Sequence, residues 1–219
     1  MSKYTTYITF VALVFVLGVL TKGTALSWSS VRTLIVAEAV RAFVSLGVGM
    51  IIITWGIDLS IGYVVCFTAS VAASFAQIPT YESALYFGVD FPIWLPIVAA
   101  VVAGGLFGLF NGVLVAYGRM HPFVATLGTS LIAKSAQLIY TKARIVGGLK
   151  QEFKDIAQKS LGPIPLLGIY VVVAAVLVWV LLKHTRKGTN FYAIGGNQQA
   201  ARVSGINVEK DMKKYAKRA

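Results

Sequence analysis

The chain has 219 residues, of which 57% are hydrophobic and only 13% are charged, and its mean hydropathy is +0.76. Soluble domains carry about 25% charged residues, so this composition excludes an ordinary soluble protein and predicts an all-α, polytopic transmembrane helical bundle. The net charge is +12, and basic residues concentrate in residues 183–219. Cytoplasmic flanking charge and attraction to anionic membrane lipid account for that cluster without a nucleic-acid partner.

The first two predicted spans are residues 4–20 and 34–55. A signal peptide is the alternative for the first, but the apolar run is long for that role and further spans follow. Glu38 and Arg41 are spaced i,i+3 near the start of the second span, so they share one helix face. Each charge alone at a bilayer centre would cost about 2.5–3.5 kcal/mol. A structural ion pair is therefore favoured over a functional one.

The string GIDLSIG, residues 56–62, interrupts the apolar pattern. Its two glycines allow a tight reversal, and Asp58 or Ser60 can cap the next helix. Asp58 is predicted to shape this turn rather than to bind solute. The third span, residues 61–78, is rich in small residues that suit close helix packing in lipid. The connector at 79–92 has acidic but no basic residues, which fits the outer side of a membrane.

The fourth span is predicted over residues 93–117. Gly104, Gly108 and Gly112 repeat every four residues and form one smooth stripe, which favours tight helix contact over a role in substrate binding. Asn111 lies beside the stripe. An unpaired amide in lipid is costly, so Asn111 is expected to face protein or a wet cavity.

The fifth span, residues 122–140, begins with a proline, which suits the first turn of a helix. It is unusually polar for a lipid contact. Ionisable and polar groups within a span indicate a functional site by default. One hypothesis is that this face and Asn111 line a solute path, and the other is a polar contact between helices. The candidate path residues are Asn111, Thr126, Thr129, Lys134 and Gln137.

A connector with five basic residues, 141–163, precedes the sixth span at 164–182. Residues 151–159 within it are predicted to form an interfacial amphipathic helix. Six spans place both chain ends on the same side, taken as the cytoplasm from the motif described next. The basic connector then falls outside, against the positive-inside tendency.

Residues 183–210 are predicted as a cytoplasmic loop, with a basic tail over 211–219. Within the loop, Asn197 suits an N-cap, because its side-chain oxygen can accept a backbone N–H one turn on. Residues 198–204 contain no helix breaker and would form a rod of roughly 10 Å. Gly205 suits a left-handed C-terminal cap. Three small side chains allow a partner groove to approach the backbone: Ala200, Ala201 and Ser204. The alternative is a capped surface helix with no partner.

Three stretches, in this order, carry a family resemblance: residues 56–62, 111–129 and 199–205. They resemble the GIDLSVG string, the NGxxxA…PFxxTLGT string and the EAA---G loop of the permeases in ATP-binding-cassette (ABC) importers for monosaccharides. The resemblance implies that residues 197–205 couple to an ATPase, through Asn197, Gln199, Ala200, Ala201, Ser204 and Gly205. Gln199 stands where the motif has glutamate, so the carboxylate is missing. Complete family members have about ten spans of ~20 residues each. This chain is therefore expected to be truncated, through a shortened frame, a split gene or a fragment, and not to form a complete pathway alone.

The resemblance further implies a permease subunit for a monosaccharide of the galactose/methyl-galactoside or ribose type, in a bacterial plasma (inner) membrane. Its implied partners are an ATPase holding ATP and Mg²⁺, a periplasmic or lipid-anchored sugar-binding protein, a second permease copy and membrane lipid. One rival is a partner-binding remnant that moves no solute. The other is a membrane-embedded enzyme. Against the enzyme, the chain has no GxxxxGK[ST] string and no catalytic constellation, and His121 has no second ligand at metal spacing.

Overall fold

The computed structural model describes residues 5–206. The predicted basic tail at 211–219 and the last residues of the predicted loop lie outside the described residues. Within the described part the chain is a bundle of helices with one short β-hairpin, which confirms the all-α prediction. In chain order the helices are α1 (Thr5–Leu20), α2 (Trp28–Ile53), α3 (Ile61–Phe75), α4 (Trp94–Ala116), α5 (Pro122–Thr141), α6 (Gln151–Gln158), α7 (Leu166–His184), α8 (Arg186–Gly196) and α9 (Gln198–Val203). A 3₁₀ turn at Thr24–Leu26 links α1 to α2, and strands β1 (Ser160–Leu161) and β2 (Ile164–Pro165) precede α7.

Each of the six predicted spans coincides with a helix, but the helices differ in length and polarity. Among the described residues, α2, α4 and α7 are long and apolar enough to cross a membrane. The helices α1 and α3 are shorter and apolar, while α5 is long but too polar to join that group. Helix α2 starts at Trp28 rather than residue 34, because the Ser27 side chain accepts a hydrogen bond from the Ser30 backbone N–H and so caps an earlier first turn.

Helices α3, α4 and α5 pack on one another as a group. The start of α3 meets the end of α4, where Asn111 Nδ2 donates to Ser60 Oγ at 2.8 Å. A Cβ added to Gly104 of α4 would lie 3.5 Å from Thr68 of α3, an ordinary contact distance, so Gly104 faces α3 there. The segment before α3 also bonds to the first turn of α5, so α3 and α5 run parallel with α4 antiparallel to both.

A second pair, α2 and α7, also packs together and runs parallel. Near the start of both helices, the Trp28 indole N–H donates to the Pro163 carbonyl at 3.2 Å. At the other end of α2, the Trp55 indole N–H donates to the Gly195 carbonyl in α8, which follows α7. The helices of the α2–α7 pair and of the α3–α5 group therefore begin and end at the same two ends of the bundle.

The two ends of the bundle are formed by different segments. The connector end holds residues 21–27, 76–93 and 142–165. There the Ile78 N–H donates to the Gly148 carbonyl at 2.8 Å, joining two connectors. The α9 end holds residues 54–60, 117–121 and 185–206. The basic connector therefore lies at the opposite end of the bundle from α9.

Helix α8 is not predicted from the sequence. Residues 186–196 contain three glycines, which lower helix propensity. Packing outweighs that propensity, because Phe191 and Ile194 are fully buried on one face at i,i+3 spacing. The Thr185 side chain caps the helix by accepting the Gly188 N–H. The predicted amphipathic helix in the basic connector is present as α6.

Candidate functional site

Helix α9 begins at the predicted cap. Asn197 has extended backbone angles, and its Oδ1 accepts hydrogen bonds from the N–H groups of Gln199 at 2.9 Å and Ala200 at 3.0 Å. Two of the four backbone donors that a helix start leaves unsatisfied are thus bonded.

The other end of α9 is closed by its own backbone. The helix has six residues and ends at Val203, with Ser204 as C-cap and Gly205 in the predicted left-handed conformation at φ 82°. The Gly205 N–H donates to the Arg202 carbonyl and the Ile206 N–H to the Ala201 carbonyl, both at 3.0 Å. This pair of hydrogen bonds defines a Schellman motif, and it satisfies the last carbonyl groups of the helix.

The small side chains of α9 do not share one surface. Ala201 is only 3% exposed and lies against the buried Ile194 of α8. Ala200 and Ser204 are exposed, as is Gln199. Val203 is 87% exposed. The sequence does not predict it as a site residue, because a single apolar side chain in a polar segment carries no distinct signal. The exposed side chains of α9 and its C-cap therefore include Gln199, Ala200, Arg202, Val203 and Ser204, whereas Ala201 packs the helix against α8.

Helix α8 sits close against the end of α2. A Cβ added to Gly195 would lie 1.9 Å from the Ile53 carbonyl oxygen, so only glycine permits this approach. The Trp55 indole N–H donates to the carbonyl of the same glycine at 2.5 Å. Through α8, α9 is therefore held against the segment that follows α2.

Two of the predicted solute-path residues, Asn111 and Thr126, form hydrogen bonds with that same segment. Asn111 is 8% exposed, and its Nδ2 donates to Ser60 Oγ, which in turn donates to Asp58 Oδ1 at 2.6 Å. Asp58 also accepts the Ser60 backbone N–H at 2.8 Å, so it shapes the turn as predicted, without capping α3. Asn111 Oδ1 is buried without a hydrogen-bond partner among the described residues. Thr126 Oγ1 accepts the Leu59 N–H at 3.1 Å.

The remaining predicted path residues lie along α5. Thr129 is 1% exposed and its hydroxyl donates to the Ala125 carbonyl of its own helix. Lys134 is exposed, and its ammonium lies 5.5 Å from the Tyr63 ring centre. Gln137 is half-buried, and its Nε2 lies 3.4 Å from Ser70 Oγ of α3. The five residues therefore do not surround a common cavity.

One cavity does involve a predicted residue. It has a volume of about 490 Å³, opens between α3, α5 and the start of the basic connector, and Gln137 lines it. Ser70, Thr141 and Arg144 add further polar groups to its wall. Hydroxyl, amide and guanidinium groups can all bond to the hydroxyls of a polar solute.

The ion pair that the sequence predicts is present, and a further pair joins the two connectors. Glu38 and Arg41 form the expected ion pair on α2, with both side chains more than half exposed. At the connector end, Lys150 bonds to Asp90 and so joins the basic connector to the acidic one. Within residues 5–206 no group of three His, Cys, Asp or Glu side chains is placed to hold a metal ion.

Comparison with known proteins places these features in context. The family model described as branched-chain amino acid transport system / permease component matches residues 30–212. The chain is 36% identical over 193 residues to the galactose/methyl galactoside import permease protein MglC of Escherichia coli (strain K12), covering 84% of this chain and 57% of that protein. It is 31% identical over 208 residues to the D-allose transport system permease protein AlsC of the same organism, covering 95% and 61%. It is 34% identical over 180 residues to the ribose import permease protein RbsC of that organism, covering 78% and 51%.

The match has a definite extent. The chain spans 51% to 61% of the length of these three relatives. All three are named as transport permeases and none as an enzyme, and with the apolar helices this makes the chain a multi-pass membrane protein. No solved structure matches the chain.

Proposed function

Because this chain belongs to the family of transport-system permease components that matches residues 30–212, we propose that it is a membrane-spanning permease subunit of an ABC importer. The proposed solute is a monosaccharide of the galactose/methyl-galactoside or ribose type, since permeases named for galactose, allose and ribose import are among its relatives. The proposed location is a bacterial plasma (inner) membrane, where a sugar-binding protein would deliver the solute to the connector end and a second permease copy would complete the pathway.

The observation that carries the proposal is the construction of α9. It lies inside the family match, at one end of the bundle, and turns Gln199, Ala200, Val203 and Ser204 outward while Ala201 anchors it on α8. An exposed valine between small side chains suits insertion into an apolar groove of a partner protein. We assign that partner role to the ATPase, which would also hold ATP and Mg²⁺.

On the solute side, the proposal relies on the cavity beside Gln137. Its polar wall gives a hydroxylated solute hydrogen-bond partners at the connector end. Asn111 and Thr126 are engaged with residues 57–60, so we propose that they support the path rather than line it. Replacing Lys134 with Met and finding uptake unchanged would remove that exposed residue from the path.

Crosslinking tests the α9 assignment. In a Cys66→Ser background, Val203→Cys is expected to crosslink to the co-expressed ATPase in membranes through a short-spacer thiol-to-amine reagent. Ile145→Cys, which is 93% exposed at the connector end, is the matched control and should not react with the ATPase. Equal crosslinking from both positions, or none from Val203→Cys at normal expression, would contradict the assignment.

The same crosslink would also be made by a partner-binding membrane protein that moves no solute. Uptake of radiolabelled galactose and ribose separates the two functions. Proteoliposomes holding the chain, a permease segment that supplies the part of the relatives' length that this chain does not span, the ATPase and the binding protein should accumulate one of these sugars only when ATP is present on the ATPase side. Absent accumulation, with the crosslink intact, would favour the non-transporting function, whereas accumulation without ATP would contradict an ABC importer.

A further inference from the structure

The segment between α2 and α3, residues 54–60, is bonded to α8 at one end and to α4 and α5 at the other. We propose that this segment is the mechanical link that couples a displacement of α9 to the α3–α5 group, with Trp55 and Gly195 as its positioning residues. This inference rests on the proposed function, because it names how the ATPase-facing helix would act on the rest of the permease.

The first contact of the link is unusual in its backbone. Trp55 has φ 60°, a left-handed conformation that is an outlier for a bulky side chain. It occupies the position after the C-cap of α2, where glycine is the usual residue, and the Gly56 N–H donates to the Ile51 carbonyl across it. A residue in this conformation costs about 1–3 kcal/mol and persists only where its surroundings require it.

The same turn brings the Trp55 side chain to α8. The left-handed turn directs the Trp55 indole N–H to the Gly195 carbonyl at 2.5 Å, while the ring itself remains 80% exposed. Burial of the ring therefore does not account for this position. The left-handed residue closes the C-terminal cap of α2 and also places the indole N–H on the Gly195 carbonyl. Gly195 comes two residues before Asn197, the N-cap of α9, so the contact lies directly at the root of that helix.

The second contact of the link is made by side chains of two other helices. Thr126 of α5 accepts the Leu59 backbone N–H, and Asn111 of α4 donates to Ser60. Both side chains are buried, and both are more than 50 residues from their partners along the chain. The segment therefore carries bonds to both neighbours within seven residues, and a rigid-body shift at Gly195 has a continuous bonded route to α4 and α5.

Hydrogen exchange on the full chain in nanodiscs tests the link without any partner protein. Gly195→Ala places a Cβ 1.9 Å from the Ile53 oxygen, whereas Gly196→Ala meets nothing within 4 Å. We expect Gly195→Ala to raise the exchange rate of the Leu59 amide by roughly tenfold or more and Gly196→Ala to leave it unchanged. If Gly195→Ala cannot be purified, Trp55→Phe takes its place, since it removes the indole N–H together with the five-membered ring of a side chain that is 80% exposed.

Coupling between two sites is reciprocal, so the opposite direction must also respond. Thr126→Val keeps the shape of the side chain but removes the acceptor for Leu59. It should raise exchange at the Gln199 and Ala200 amides, which Asn197 holds. Thr129→Val is the matched control, since that hydroxyl bonds only within α5.

Unchanged α9 amides in Thr126→Val, or an equal change in Thr129→Val, would overturn the link, as would equal Leu59 exchange in the two glycine variants. The outcome is separable from that of the proposed function. A failed link with an intact Val203 crosslink leaves the ATPase docking in place. A coupled exchange response without any crosslink leaves the link and removes its assigned partner.

Discussion

The two ends of the bundle are held together by different kinds of contact. At the connector end the main chains of two connectors bond to each other, with the Lys150 N–H donating to the Ala76 carbonyl at 2.9 Å and Ile78 to Gly148. The Gln77 side chain adds bonds to Gly147 and Leu85. At the α9 end, by contrast, single side chains make the bonds between residues 54–60 and the helices. Trp55 of this segment bonds to α8, and Asn111 of α4 and Thr126 of α5 bond to the segment.

This difference predicts which substitutions should destabilise each end. Main-chain bonds do not depend on side-chain identity, so the pairing of the two connectors should tolerate most substitutions along it. It should fail mainly where a side chain blocks the approach of the two segments. The α9 end has few main-chain bonds between separate segments among the described residues. Loss of one buried side-chain partner should therefore lower the stability of the protein. Three substitutions test this contrast, beginning with the largest expected effect.

Gly148→Ala should be the most destabilising change at the connector end. Gly148 has φ 67°, and an added Cβ would lie 2.4 Å from the Tyr81 ring. Left-handed strain of about 1–2 kcal/mol adds to overpacking of about 1–3 kcal/mol. Gly162→Ala, at φ 59° with nothing within 4 Å, carries the strain alone and is the control. Equal unfolding midpoints for the two variants in detergent would show that the Tyr81 contact is not tight.

At the α9 end, Ser60→Ala should cost about 1–3 kcal/mol, because it leaves the buried Asn111 amide without an acceptor. The exposed Ser45→Ala, whose hydroxyl bonds only to the Arg41 carbonyl of its own helix, should stay within about 0.5 kcal/mol of the parent protein. Both are measured by the free energy of unfolding in mixed micelles. A Ser60→Ala variant as stable as Ser45→Ala would remove the contrast between the two ends.

The smallest effect is expected on the surface of α6. The Lys159 ammonium, and then the Gln151 amide, bond to Asp155 and lower the pKa of that carboxyl below its ordinary value of 3.8. A lowered pKa in the folded state stabilises α6 above pH 3.8, and the contribution is lost as the pH falls below that value. Asp155→Asn should therefore speed exchange at the Lys159 amide at neutral pH but not in strong acid. A difference that persists in strong acid would assign the effect to packing instead.

The sequence anticipates features that are set within a few residues. Both caps of α9 follow from Asn197 and Gly205, since each acts on backbone groups within one turn. Membrane-type helices follow from the apolar composition, and α5 shows its polarity directly in its residues. The assignment of a partner to α9 and of solute contacts to α5 remains a prediction.

Features that depend on distant parts of the chain could not be read in advance. The burial of Ala201 requires α8, whose glycines hide its helical character and whose only sequence signal is the spacing of Phe191 and Ile194. Asn111 is predicted to need a polar partner, but nothing local identifies Ser60, which is 51 residues away. The contact of the Trp55 indole with Gly195, 140 residues later, likewise has no local signal in the sequence.

The closed ends of α9 have a consequence for how strongly anything can bind there. Isolated helices shorter than about 12–15 residues are marginal in water, yet this six-residue helix is held by its own caps and by Ala201. Ordering a flexible segment costs about 1–2 kcal/mol per residue, and a preorganised surface avoids most of that cost at the moment of association. Changes at Asn197 or Gly205 would therefore tune affinity by loosening the free state, while every atom of the contact face stayed the same.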